Sequence, residues 1–269
     1  MRVVAIRVKN FKALRDVSMK DIPGFAVMVG ANGTGKSTFI GVFDFLKDCL
    51  KNDVRVALRK RGGFAQVVSR GHEDEAIEIE LQVRMGIEAI RRQRLVTYHL
   101  RIVEENRRIA VAEESLRFKR GAGGAPYHFI RFRNGKGEAL PETFDAFDPG
   151  VPLTRLNREE QDLDAPYILA LKGLGQFRRF DVASQLRELI ENWVVSDFHI
   201  EDARVEPDAG IAEHLDERGS NIALYAQYLR EEHADIFQTH CSPNDPLRAR
   251  SCRSSDCRHG RRACRPSLS

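Results

Sequence analysis

The chain has 269 residues, 42% hydrophobic and 30% charged, with 43 Lys+Arg against 39 Asp+Glu and a formal net charge of +4. That is enough apolar material to bury a substantial core in one or two lobes. No apolar run is long enough to span a membrane, no internal repeat or sustained heptad is present, and Met1-Arg2 leads straight into a charged strand without a secretory leader, so a cytoplasmic, non-membrane protein is expected.

Val3 to Val8 reads as a strand, followed by Lys9-Asn-Phe-Lys12 and a second short strand around Val17 to Met19. Phe25-Ala-Val-Met-Val29 is a continuous apolar run, which predicts a fully buried strand of a largely parallel sheet. Gly30 to Ser37 then read Gly-Ala-Asn-Gly-Thr-Gly-Lys-Ser, a complete G-x-x-x-x-G-K-[ST] pattern. The residue types have a chemical reason. Glycines let the backbone turn tightly, so that its N–H groups converge on phosphate oxygens. Lys36 brings positive charge to the β and γ phosphates, the Ser37 hydroxyl reaches Mg²⁺, and Thr38 is within reach of the α phosphate. The candidate nucleotide-binding residues are therefore Gly30, Asn32, Gly33, Thr34, Gly35, Lys36, Ser37 and Thr38, with ATP and Mg²⁺ as ligands and Ser37 on the metal. The competing reading is a Gly-rich turn that merely contains Lys-Ser. The flanks argue against it, because Phe39, Phe43, Leu46 and Leu50, widened by Ile40, Val42 and Cys49, predict the helix that must follow such a loop.

Further on, Ile77, Ile79, Leu81 and Val83 alternate with Glu78, Glu80, Gln82 and Arg84, the period of a strand with one wet face. Similar segments near Leu95–Val103, Ala110–Phe118 and His128–Arg133, the last meeting Asn134-Gly135, predict an antiparallel β lobe. Beyond Pro152 the chain reads as helical. Asp181 is the expected cap of a helix through Trp193, and Asn221 of another through Leu229 with Ile222, Tyr225 and Leu229 on its inner face. Val194-Val195 is a candidate for one more strand.

The leading strand ending in Asn-Phe-Lys, with Gly-Ala-Asn-Gly-Thr-Gly-Lys-Ser-Thr some twenty residues later, resembles the ABC-type ATPases of the RecF, SMC and OLD-nuclease group. Asn32, Phe39 and Arg61-Gly-Gly-Phe64 add to the resemblance. It implies an ATP-driven clamp in which two heads sandwich ATP as a homodimer and act on DNA or on an attached effector, in repair, maintenance or defence. It also implies an α/β P-loop NTPase fold, an ABC-type head with an antiparallel β lobe and a helical second half. Lys12 is then a candidate nucleotide contact. Relatives carry a Leu-Ser-x-Gly-like signature loop, which this sequence lacks, and an apolar strand ending in paired acids. The nearest match to that strand is Leu189-Ile190-Glu191, whose surroundings have helical spacing, so the catalytic carboxylate is unassigned. Gln82 and Gln161 are candidates for the magnesium-contacting glutamine, against the simpler readings of a strand position and a charged loop. A GTPase would need Asn-Lys-x-Asp, which is absent, and small-molecule kinases lack so long a β-rich stretch, so adenine is the expected base.

Charge divides unevenly. Residues 84–136 hold 13 Lys+Arg and 5 Asp+Glu, while residues 137–239 hold 9 and 22. The basic stretch nominates Arg91, Arg92, Arg94, Arg107 and Arg108, with Lys119 and Arg120, for DNA contact; the alternative is a solvated or internally paired face. The last thirty residues carry four of the five cysteines and seven arginines and cannot bury enough apolar surface to order themselves. A zinc site of Cys252, Cys257, His259 and Cys264 is one reading, though its spacing is poor for zinc. A shifted reading frame is the reading preferred, with the missing signature loop and paired acids expected downstream. The expected division is therefore 1–150 for the P-loop and β lobe, 151–239 for the helical half, and 240–269 for a disordered tail.

Overall fold

The computed structural model describes residues 1–87, 90–121, 124–148, 150–195, 210, 212–216, 219–235 and 237. The chain divides into two compact units, Met1–Val195 and Ser196–Ser269.

In the first unit the alternating segments pair as one mixed-length sheet. Its strands are β1 (Arg2–Phe11), β2 (Leu14–Lys20), β3 (Ile77–Ile87), β4 (Arg92–Glu105), β5 (Arg108–Phe118), β6 (Tyr127–Arg133), β7 (Lys136–Ala139) and β8 (Glu159–Asp162). The order is β2-β1-β3-β4-β5-β6-β7-β8, and every neighbouring pair is antiparallel. Because side chains alternate across a strand, Ile6 and Val8 of β1, Ile77, Ile79, Leu81 and Val83 of β3 and Val96, Tyr98, Leu100 and Ile102 of β4 bury on one face. Their polar neighbours cover the other. Asn134 and Gly135 take positive φ of 50° and 81° in the β6–β7 turn, the conformation that the Asn-Gly pair supplies for a two-residue hairpin.

The helix α1 (Lys36–Lys51) packs on the apolar face through Phe39, Val42, Phe45, Leu46, Cys49 and Leu50. Burial of such side chains is worth about 1.5–3 kcal/mol each, far more than the roughly 1 kcal/mol that a side-chain cap contributes. The helix therefore forms although Gly35 gives its first turn no side-chain cap. Around it lie α2 (Val54–Arg59), capped by Asp53 Oδ1 at 2.7 Å from Val56 N, α3 (Phe64–Val67), α4 (Phe144–Phe147), α5 (Ala170–Leu174) and α6 (Asp181–Glu191), with a 3₁₀ turn at Leu153–Arg155. Arg61, just past the end of α2, braces α1 against it, donating to Asp48 Oδ2 and Ala57 O and pairing with Asp44.

Two buried carboxylates do the work of helix caps across space. Glu114, on β5, accepts from the amides of Ala170 and Leu171 at the start of α5 and from the Tyr98 hydroxyl at 2.9 Å. Glu142 accepts the Val182 amide at 2.7 Å. Asp181 is thus not the cap of α6; it lies in the first turn, where it accepts from Gln185.

Other expectations are corrected as well. Phe25–Val29 forms no strand, and Phe25, Val27 and Val29 are 83%, 70% and 91% exposed. The physical reason is that α1 already covers the apolar face of the sheet and every described strand has antiparallel neighbours, so no parallel sheet exists among the described residues for the segment to enter. Leu189-Ile190-Glu191 lies within α6, and Val194-Val195 forms no strand. In the second unit α7 (Ile222–Glu232) has no buried residue, and Ile222 is exposed. Asn221 precedes it without a side-chain cap bond to the helix; its amide oxygen instead accepts from Asp216 N and its Nδ2 donates to His214 O. The candidate zinc ligands Cys252, Cys257, His259 and Cys264 lie outside the described residues.

Candidate nucleotide-binding site

The loop Gly30–Gly35 leads directly into α1, and two of its glycines have left-handed backbone, Gly33 at φ 84° and Gly35 at φ 91°. Side chains with a Cβ rarely adopt this conformation, which is why the pattern demands glycine there. Phe39 N makes the first intrahelical bond, to Gly35 O at 2.8 Å. The N–H groups of Lys36, Ser37 and Thr38 before it receive no side-chain cap, and the first turn holds no acidic residue. A row of uncapped donors at the positive end of a 16-residue helix favours an anion.

Lys36 completes the cradle. Its Nζ bonds the carbonyl oxygens of Gly30 and Ala31 at 2.7 and 2.6 Å and Thr34 Oγ1 at 3.4 Å, so the ammonium folds over the loop that precedes it. Thr34 Oγ1 also donates to Ala31 O at 3.0 Å, tightening the turn. A Cβ on Gly30 would come within 3.3 Å of Thr34 Oγ1 and 4.0 Å of Lys36 Nζ, so glycine keeps the space beneath the ammonium clear. Asn32, Thr34 and Ser37 are exposed, while Gly35, Lys36 and Thr38 are half-buried. Lys36 forms no ion pair with a described carboxylate. The donor set fits a magnesium–triphosphate: uncapped amides at the helix start and an ammonium for phosphate oxygens, and the Ser37 hydroxyl for the metal.

The β1–β2 hairpin supports this loop. A Cβ on Gly35 would meet Leu14 Cδ2 at 3.2 Å and Ala13 Cβ at 3.8 Å. Lys12 precedes them in a left-handed conformation, exposed, with its amide bonded to Val67 O at 2.6 Å. The loop and the sequence-nominated Lys12 are therefore neighbours. Asn10 is the residue whose role sequence reasoning missed. It is buried at φ 55°, donates to His72 O and Glu75 O, and accepts from Ser69 N at 3.2 Å, tying residues 69–75 to the end of β1 beside the hairpin. Its place inside Lys9-Asn-Phe-Lys12 was the available signal.

The remaining candidates lie elsewhere. Gln82 is on β3, on the sheet face away from α1, and donates to Glu80 at 3.3 Å; Gln161 is on β8 opposite Gly137. The basic residues do not form one patch. Arg91, Arg92 and Arg94 lie at the β3–β4 hairpin and Arg107 and Arg108 at the β4–β5 hairpin, at opposite ends of a 14-residue strand, about 45 Å apart at 3.2–3.4 Å per residue. Lys119 is exposed at the end of β5, whereas Arg120 is engaged with the carbonyls of Ala146, Asp148 and Val151. The carboxylates with raised pKa, Glu114 at about 7 and Glu142 at about 8, owe the shift first to burial and serve packing rather than the loop.

Residues 1–118 match the family model described as an AAA ATPase domain. The matched span ends with β5 and contains the loop, α1 and the first five strands. No curated protein matches the chain. The match supports an ATPase domain and points to nucleotide binding.

Proposed function

We propose that the protein binds Mg·ATP through the loop Gly30 to Thr38. The observation that carries this reading is Lys36 Nζ folded to 2.7 and 2.6 Å from the Gly30 and Ala31 carbonyls, over a loop whose glycines have positive φ at the start of an uncapped helix. In this reading the amides of Gly33, Gly35, Lys36 and Ser37 surround the β phosphate, Lys36 neutralises the β and γ oxygens, and Thr38 and Asn32 contact the nucleotide alongside. Mg²⁺, held by the Ser37 hydroxyl, supplies neutralisation of the phosphate charge when bound. Lys12 reaches the same ligand from the neighbouring hairpin.

The resemblance extends the proposal to an ABC-type head of the RecF, SMC and OLD group, dimerising on ATP and serving DNA repair, maintenance or defence. Hydrolysis requires a carboxylate to orient the attacking water, and the one sequence candidate, Glu191, is in a helix remote in character from such a strand. Binding with weak or absent turnover is the expected behaviour of this chain. Phosphate release from ATP tests it: brisk turnover abolished by Lys36→Ala would show that a catalytic carboxylate is present after all. Failure to retain ATP with magnesium would remove the binding proposal itself.

A further inference from the structure

The sheet has two outer strands, β2 and β8. An outer strand presents unpaired N–H and C=O groups to any chain that approaches, and like charges along it keep a second copy away. β8 has that protection. It reads Glu159-Glu-Gln-Asp162, so antiparallel pairing with its own copy over three residues or more sets acid against acid. β2 reads Leu14-Arg-Asp-Val-Ser-Met-Lys20, with Asp21 next, and carries both signs. Arg15, Asp16, Ser18, Lys20 and Asp21 are exposed, while Val17 and Met19 are half-buried and pack on the core. Among the described residues β1 is the strand that pairs with β2, and no backbone hydrogen bond from outside the sheet reaches it. Lys20 forms no ion pair with a described carboxylate. Asp16 accepts from Arg7 Nε at 3.0 Å and from the Arg7 guanidinium again at 2.8 Å, and its side chain remains 47% exposed.

We infer that the free edge of β2 docks a second copy of this chain, pairing antiparallel about Ser18 so that the two eight-stranded sheets become one. The charge order carries the inference. With Ser18 opposite Ser18, Asp16 of each copy stands opposite Lys20 of the other, Val17 opposite Met19, and Arg15 next opposite Asp21. Directly opposite residues have Cβ atoms about 4.5–5.5 Å apart, within reach of an ion pair and of apolar contact. The partner's ammonium would thus supply Asp16 with a second cation beside Arg7. Other registers lose this match. Centring on Val17 sets Asp16 against Ser18 and Leu14 against Lys20, and centring on Met19 sets Val17 against Asp21. A slip of one residue turns the apolar side of one copy to the open face of the other. This contact differs from a dimer closed on ATP. It requires no nucleotide, and the loop touches the hairpin at Ala13 and Leu14, before the residues that would pair. The inference does not rest on the nucleotide reading, and either can fail alone.

The test is sedimentation equilibrium of the full chain without nucleotide, from about 5 to about 200 μM, over which monomer is expected to give way to dimer. Lys20→Asp sets acid against acid at both ends of the pairing, and Asp16→Lys sets lysine against lysine. Each variant alone is expected to associate at least about tenfold more weakly. Mixed in equal amounts, the two variants again place unlike charges opposite each other at both ends, and their heterodimer should form within about threefold of the unaltered affinity. That recovery is not expected if the substitutions merely damage the fold, and circular dichroism checks each variant besides. Lys36→Ala should dimerise as the unaltered chain does. The inference is overturned by monomer throughout the range, by an undiminished dimer in Lys20→Asp, or by failure of the mixture to recover. A dimer that forms only with Mg·ATP and is lost in Lys36→Ala would also overturn it, while leaving the nucleotide reading intact.

Discussion

Glu114 offers the sharpest test of how the first unit is held together. Its carboxylate is buried on β5 and accepts three hydrogen bonds, from Tyr98 Oη at 2.9 Å, Ala170 N at 2.5 Å and Leu171 N at 2.9 Å. Glu114→Ala would leave all three donors buried without an acceptor. Each orphaned group costs about 1–3 kcal/mol, so the loss is on the order of 3–9 kcal/mol, a large part of the roughly 5–15 kcal/mol available to a domain. Glu114→Gln keeps one carbonyl oxygen and should cost only about 1–2 kcal/mol. The measurement is urea unfolding followed by fluorescence of Trp193, the only tryptophan, which packs edge-on against Phe43 of α1 at 4.9 Å between ring centroids. A pH arm adds a sign. Burial raises the Glu114 pKa from 4.5 to about 7, against the opposing pull of its three donors. Between these values the folded protein binds more protons than the unfolded chain, so this residue's contribution to stability is complete below about 4.5 and is lost as pH rises towards 7. Glu114→Gln should flatten that part of the profile. A loss below about 1 kcal/mol for Glu114→Ala would refute the reasoning, because three buried bonds cannot be that cheap to break.

Other variants probe separate links. Glu142→Gln should remove a similar fall in stability between pH 4.5 and about 8, read by the same unfolding assay, since burial raises that carboxyl too. Gly137→Ala would bring a Cβ to 2.2 Å from Arg131 O and 2.6 Å from Phe132 Cα, so backbone must move, with a cost at or above the upper end of about 1–3 kcal/mol in urea unfolding. Gly35→Ala must hold a φ of 91° and press on Leu14; thermal unfolding should show a loss of about 1–2 kcal/mol, with ATP retention weakened as well. Phe25→Ser with Val29→Ser changes side chains that are 83% and 91% exposed, so stability should stay within about 0.5 kcal/mol while binding of an apolar dye falls.

The strands β3 to β6 were legible because their alternation is strict and each lies half-buried, so hydrophobic period and fold agree. The loop was legible because its pattern is contiguous: the glycines that take positive φ and the helix that follows them are announced between Gly30 and Thr38. What escaped reading depends on contacts distant in sequence. Glu159–Asp162 reads as a charged loop, and only pairing with Lys136–Ala139 makes it a strand. Glu114 and Glu142 cap helices 40 residues or more away, which no local pattern announces. Phe25–Val29 misled in the other direction, since continuous apolarity signals a site of burial only where the sheet offers a place. The arginines flanking β4 failed as a single patch because a 14-residue extended strand holds its two ends at opposite ends of the sheet.

The central claim is that the turn before Lys36 receives a triphosphate. Calorimetric titration of the purified chain with ATP in the presence of magnesium, beside Lys36→Ala, measures this most directly. One site per chain is expected, with affinity falling by about tenfold to a hundredfold in the variant, as removal of a hydrogen bond worth about 1.5–3 kcal/mol to a charged group requires. No heat of binding in the unaltered chain, or the same affinity in both proteins, would contradict it.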